Sequence, residues 1–291
     1  MTGAVDQPVT SVPAPPAPVR RAVPPDPTGH ERLVKAATLT WTLAITDWKL
    51  KFYGSALGYA WTLVKPFAFF GVLYFVFTQI ANLNADVPHY GVYILFAMVL
   101  FNFFADVTGG CVTALPVREN LLRKMQFPPI VIPLAIAVTG LLNLGMTLVA
   151  VVIFALLNGV YPEWSWLEFP ILVLLLTVLS VGVGMLLSAL YPRFRDIAPI
   201  WDVVSQILFY ASAILYVYTT IPEQYQRWFL INPLAACMTE MRHVVIDPSA
   251  PSIFEAMPDG RWLVPLGIVL VAFAIGLRVF LRESPRVAER L

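Results

Sequence analysis

Residues 129–157 read PIVIPLAIAVTGLLNLGMTLVAVVIFALL. No charged side chain interrupts this run, and a soluble domain has no way to cover it on every face. A bilayer core about 30 Å thick takes roughly 20 apolar residues as a helix, so the run is long enough to cross one. Lipid offers no partner to a free peptide group, and a helix satisfies its own. Five more long apolar runs, each holding a single charged residue, stand at 59–80, 91–112, 167–190, 198–219 and 262–281. The composition agrees. Hydrophobic residues are 58% of the 291 and charged residues 13%, about half of the roughly 25% charged share of a soluble domain. The expected fold is all-α: a polytopic membrane protein with six transmembrane helices.

Charge in the connections orients the bundle. Of the nineteen Lys and Arg residues, sixteen fall in the N-terminal segment, the connections 113–128 and 191–197, the inner ends of the spans and the C-terminal end. The other three, Arg227, Arg242 and Arg261, share one long connection. Cationic connections stay on the cytoplasmic side, so both termini are expected in the cytoplasm. The formal net charge of +1 suggests no nucleic-acid partner. Cys111 and Cys237 fall near opposite faces in this topology, so no disulfide is expected between them.

The flanks divide the chain further. Residues 1–30 hold a Pro-rich run and no apolar core, which reads as a disordered cytoplasmic tail, with insertion expected from the first span. In 31–56, Val34, Ala37, Trp41, Ala44, Ile45, Trp48 and Phe52 recur at helical spacing, with Lys35 and Lys49 turned away. Such a helix suits the membrane surface. The six spans fill 57–282, and 283–291 is a second cytoplasmic tail. Residues 115–126 read as a short cytoplasmic amphipathic helix. Residues 220–261 carry Pro233, Glu240, Arg242 and His243 within moderately apolar sequence. They read as short re-entrant helices in the outer leaflet between spans five and six.

No residue pattern signals chemistry. Gly140 to Thr147, GLLNLGMT, has the spacing of a phosphate loop but Met146 stands where the Lys is required. Its glycines, with Gly182 and Gly184, read as sites of close helix contact. His30, His89 and His243 are too scattered for a local metal site, and no catalytic motif is present. Asp106 and Asp202 are the carboxylates nearest the membrane interior, both toward cytoplasmic helix ends, and Asp106 is a gating candidate. Lys65 lies close enough to an inner end to reach the headgroups, and Pro66 beside it is expected to kink or break the first span. Phe67, Phe70, Tyr74 and Phe77 keep helical spacing on that span, and Phe101, Phe103 and Phe104 sit in the second. Packing aromatics and a pore lined for sugar rings are both open readings.

Four blocks, in order, resemble the membrane subunit of type-2 ATP-binding-cassette exporters of the polysaccharide, O-antigen and teichoic-acid branch. They are KLKFYGSALGYAWTLVKP at 49–66, NLLRKMQFPPIVIPL at 120–134, LYPRFRDIAPI at 190–200, and residues 221–242 with Ile221-Pro222, Asn232-Pro233 and Arg242. The family's usual Ser-Pro-Ile near the end of span five is Ser212-Ala213-Ile214 here. The resemblance implies a homodimer with the pore between protomers, and two copies of a separate cytoplasmic ATPase. It implies no cofactor in this chain, since ATP and Mg would be held by that partner. It makes 115–126 the coupling helix, with Arg118, Glu119, Asn120, Arg123 and Lys124 toward the ATPase, joined by Arg193, Arg195 and Asp196. The cargo would be a polyprenyl-pyrophosphate-linked glycan, with Lys49, Lys51 and Lys65 drawing its pyrophosphate. Trp61, Phe70, Tyr74, Phe77, Phe104 and Tyr216 are the candidates for sugar contact, and Asp106, Pro66, Asn232 and Pro233 for gating. Small-molecule efflux is the nearest rival, and the helix before the first span favours a glycan. A proton-coupled secondary transporter would need deep carboxylates and inverted repeats. A membrane-embedded transferase would need clustered carboxylates. Neither set is seen in the sequence.

Overall fold

The computed structural model describes residues 29–52, 58–80, 87–118 and 128–290. Residues 1–28, the expected tail, and 119–127, most of the expected coupling helix with Glu119, Asn120, Arg123 and Lys124, lie outside the described residues. Most of the described residues are helical, with no strand among them. In chain order the helices are α1 Gly29–Phe52, α2 Gly58–Phe75, α3 Tyr90–Val112, α4 Ala114–Val117, α5 Val131–Leu157 and α6 Phe169–Leu190. They continue as α7 Ile197–Tyr210, α8 Glu223–Phe229, α9 Pro233–Met241, α10 Ile253–Ala256 and α11 Leu263–Arg290.

Five stretches are long and apolar enough to span a membrane: Ala60–Thr78, Tyr90–Val112, Val131–Leu157, Trp164–Leu190 and Leu263–Ser284. They coincide with five of the six expected spans. α3 is the axis of the bundle. A helix that is apolar all round belongs inside, and Val92 to Leu100 are all buried. α2, α5, α6 and α7 pack around α3, and α11 lies outside against α6.

Glycines set the closest approaches. A methyl group added at Gly182 on α6 would stand 2.5 Å from the Phe273 Cα and 2.7 Å from its backbone nitrogen on α11. The carbon added at Gly276 would land on the carbonyl of Gly182. Gly140 meets Val107 and Phe103 of α3 in the same way, and Gly184 meets Cys111. The phosphate-loop spacing at 140–147 is therefore helix packing at Gly140, while Gly145 faces open space.

The sixth expected span, 198–219, differs in form. Its helix α7 ends at Tyr210 after 14 residues, a rise of about 21 Å. The chain then runs on without helix. Trp201 Nε1 donates to Thr108 Oγ1 (3.2 Å) near the last turn of α3, while the hydroxyl of Tyr93, in its first turn, donates to Ala213 O. Residues 201–213 thus travel most of the length of α3. Ala213 takes a left-handed φ of 54°, which costs an L-residue roughly 1–2 kcal/mol. Three side chains hold this turn: Tyr93 on Ala213 O, Tyr90 on Leu215 O (2.5 Å), and Asn232, whose Nδ2 donates to Ala211 O and Ser212 Oγ (both 3.0 Å). The helix breaks here without a proline, ahead of Ala213.

Residues 220–261 hold the short helices α8, α9 and α10. Asn232 caps α9 by accepting from Leu234 N (3.0 Å), and a capping box at Ser252 and Glu255 starts α10. The α5–α6 connection is tied to the turn after α9: Ser165 Oγ donates to Val244 O (2.6 Å) and Trp166 Nε1 to Val245 O (3.0 Å). α1 packs on α5 through a narrow strip, with Ala44 and Thr40 buried and Thr139 Oγ1 donating to Ala44 O (3.2 Å). Trp41 and Val34 of its apolar face stay exposed. Pro66 lies within α2, which continues through it without a break. Cys111 and Cys237 are both free thiols.

Candidate functional site

A cavity of about 820 Å³ opens between the end of α1 and helices α2, α3 and α5. Lys51 at the end of α1 and Lys65 on α2 both line it, with Trp61, Pro66 and Asp106. Helical spacing explains the α2 set: Trp61 and Lys65 are four residues apart, so they share a face one turn from each other. Five residues singled out from the sequence therefore meet in one place. Four polar lining residues were not anticipated: Thr62, Asn102, Asn143 and Thr147. Asn143 Oδ1 is buried and has no hydrogen-bond partner among the described residues. A lone amide in an apolar helix is the one sequence signal that could have found Asn102 and Asn143.

The chemistry of this cavity is recognition without bond making. Two ammonium groups and two amides can hold an anion bearing several oxygens, while the Thr62 and Thr147 hydroxyls donate to Gly58 O and Asn143 O of their own helices, and Trp61 offers an aromatic face 65% exposed. Asp106 adds one carboxylate, leaving the charged groups at the site net positive. Among the described residues no cluster of His, Cys, Asp and Glu is arranged to hold a metal ion.

The other singled-out residues fall elsewhere. Lys49 is exposed and lies outside the cavity lining. Phe70 and Tyr74 line a separate cavity of about 530 Å³ with His89, Tyr90, Phe154 and Asn158, and Phe70 packs edge-on to Phe154. Phe77 is half-buried against the core. Phe104 is 2% exposed, packed on Phe101 and Trp201, and faces neither cavity. Tyr216 donates to Tyr210 O (2.9 Å) beside Phe229. Pro233 forms the first turn of α9 beside the cap residue Asn232.

Arg118 turns inward: its guanidinium pairs with Asp47 of α1, and its Nη1 is buried without a partner. Asp47 is one turn from Lys51, so the start of the 115–126 segment is bonded to the helix that ends at the cavity. Arg193, Arg195 and Asp196 are exposed on the turn between α6 and α7, with the Arg193 guanidinium 5.3 Å from the Phe194 ring centroid. Asp202 is exposed on α7. At the opposite end of α3, Arg242 bonds Asp247 at 3.5 Å with both side chains largely buried. Burial works to raise the Asp247 carboxyl, but the Ser249 hydroxyl and amide, with Arg242, outweigh it and hold it below the usual carboxylate range.

The sequence pattern of the family described as ABC-2 type transporter matches residues 38–246. The chain is 26% identical over 232 residues to the O-antigen export system permease protein RfbA of Myxococcus xanthus, covering 79% of this chain and 86% of that protein. It is 26% identical over 246 residues to the protein of the same name from Klebsiella pneumoniae, with 84% and 92% covered. The polysialic acid transport protein KpsM of Escherichia coli is 23% identical over 205 residues, with 70% and 80% covered. All three are transport subunits rather than enzymes.

Proposed function

The chain belongs to the ABC-2 type transporter family, and from that premise we propose that it is the membrane subunit of an exporter moving a cell-envelope polysaccharide. The names of the relatives support the substrate class. The observation that carries the reading to a residue level is the cavity holding Lys51, Lys65 and Trp61 at the end of α1. Lysines at the membrane surface attract phosphate oxygens, and an aromatic face accepts a sugar ring. The cargo in this reading is a glycan on a polyprenyl pyrophosphate carrier, taken from the inner leaflet, with both termini of this chain in the cytoplasm. A separate ATPase, two copies holding ATP and Mg, supplies the energy. Its closure pushes the 115–126 segment, with Arg193, Arg195 and Asp196 as the second contact, and the Arg118–Asp47 pair carries that motion to α1.

The working unit is a homodimer. α7 has no buried residue, and Ile200, Val203, Ile207 and Tyr210 are exposed along it. α2 likewise exposes Trp61, Phe69, Val72 and Phe75. A second copy against these faces would enclose the cavity's open side, and α7 with its non-helical continuation would supply the sixth crossing.

The test is complementation of a strain lacking this gene. The Lys51→Gln/Lys65→Gln variant should assemble with the ATPase subunit and retain ATP hydrolysis while surface polysaccharide falls. Normal surface polysaccharide in that variant refutes the role of the cavity. Absence of any ATPase co-purifying with the wild-type chain refutes the exporter reading.

A further inference from the structure

Arg227 and Arg261 break the charge pattern of the chain, and the structure brings them together. Arg242, the third arginine of this connection, has a buried partner in Asp247. Neither Arg227 nor Arg261 makes an ion pair among the described residues. They come from different elements, α8 and the turn before α11, yet line one cleft of about 560 Å³ with Glu223, Gln224 and Trp228. A small separate core of Tyr218, Leu230 and Met257 holds α8 against that turn, so the convergence is fixed by packing. Two guanidiniums held in one cleft repel unless an anion lies between them.

The position identifies the class of anion. Arg261 stands two residues before the membrane-spanning stretch Leu263–Ser284, at the depth of the lipid headgroups. Trp228, 74% exposed on α8, belongs at that same level. Below the cleft α11 presents exposed Val264, Ile268, Val271 and Ile275, a surface for acyl chains. The guanidinium fork matches phosphate oxygens. Glu223, on the same cleft, offers a carboxylate to a cation beside that phosphate. We propose that this cleft binds the phosphoethanolamine headgroup of a membrane lipid, with the phosphodiester on Arg227 and Arg261 and the ammonium on Glu223. The headgroup then satisfies all three charges, and the lipid anchors α8 to the start of α11.

Native mass spectrometry of the purified full chain, delipidated and titrated with phosphatidylethanolamine, phosphatidylglycerol or phosphatidylcholine, tests this. Wild type should retain phosphatidylethanolamine about tenfold better than either other lipid, since loss of one charge-assisted hydrogen bond costs that much. Arg227→Gln/Arg261→Gln should lose retention of all three, and Glu223→Gln should keep retention but lose the preference. These side chains are exposed, so thermal unfolding of the variants should match wild type and exclude misfolding. Equal retention by wild type and the double variant overturns the site. Equal retention of the three lipids by wild type overturns the headgroup assignment. Displacement of phosphatidylethanolamine by millimolar inorganic phosphate overturns the lipid as source in favour of a soluble phosphate.

Discussion

Gly182→Ala adds one methyl group where two helices touch through their backbones. Its carbon would stand 2.5 Å from the Phe273 Cα and 3.0 Å from the Ala272 carbonyl carbon. Carbon atoms rest at about 3.5–4.0 Å, so α6 and α11 must part by roughly 1 Å at the crossing. No side chain can rotate away, because the obstructing atoms are backbone. A gap of that size forfeits about a quarter to a half of each contact's dispersion energy. This is the most extensive helix pair among the described residues, so the cost falls at the upper end of overpacking, about 3 kcal/mol. The alanine returns about 1 kcal/mol through helix propensity. The net expectation is a loss of about 2 kcal/mol. Gly267→Ala on α11 is the matched control, since an added carbon there meets nothing within 4 Å. The assay is equilibrium unfolding by SDS in mixed micelles, followed by circular dichroism. Gly182→Ala should lower the midpoint and Gly267→Ala should hold or raise it. Equal midpoints for the two variants would refute the backbone-contact reasoning.

Other perturbations test the break after α7 and the Asp247 cluster. Ala213→Gly relieves about 1–2 kcal/mol of left-handed backbone cost but gives up a buried methyl and adds chain freedom to the unfolded state, so it should shift stability by less than about 1 kcal/mol in the same titration. Asn232→Ala removes the cap of α9 and two bonds to 211–212, and should cost about 1–2 kcal/mol. Hydrogen exchange should speed at 211–217 in that variant and stay unchanged in α3. The Asp247 carboxyl is held below its unfolded value of about 3.9, so its contribution is full above that pH and is lost as pH falls through the lowered value. Wild type should therefore lose stability below pH about 4 more steeply than Asp247→Asn. Parallel pH profiles would count against the Ser249 and Arg242 contacts.

The long spans were legible because a helix apolar on every face has no other reading, and Val131–Leu157 and Tyr90–Val112 fall within two residues of the expected bounds. The early end of α7 was not legible. It depends on hydroxyl and amide donors from Tyr93 and Asn232, which lie 120 and 21 residues from their acceptors. The inward turn of Arg118 was hidden for the same reason, since Asp47 is 71 residues away. A basic residue in a basic connection reads as surface charge until its partner is placed. The cavity was half legible. Lys51, Lys65 and Trp61 carried signals of charge, helical spacing and family resemblance. Asn102 and Asn143 acquire meaning only when α3 and α5 are packed side by side.

The stretch following α7 has one more implication. A helix interior is secured by peptide groups, which nearly every substitution leaves intact. Here the fastening belongs to two tyrosine hydroxyls and one carboxamide. Single amino-acid changes at positions 90, 93 or 232 can loosen or tighten this segment by degrees, while the surrounding helices keep their ladders. Descendants of this sequence can thus retune how stiff that part of the wall is without rebuilding any long helix.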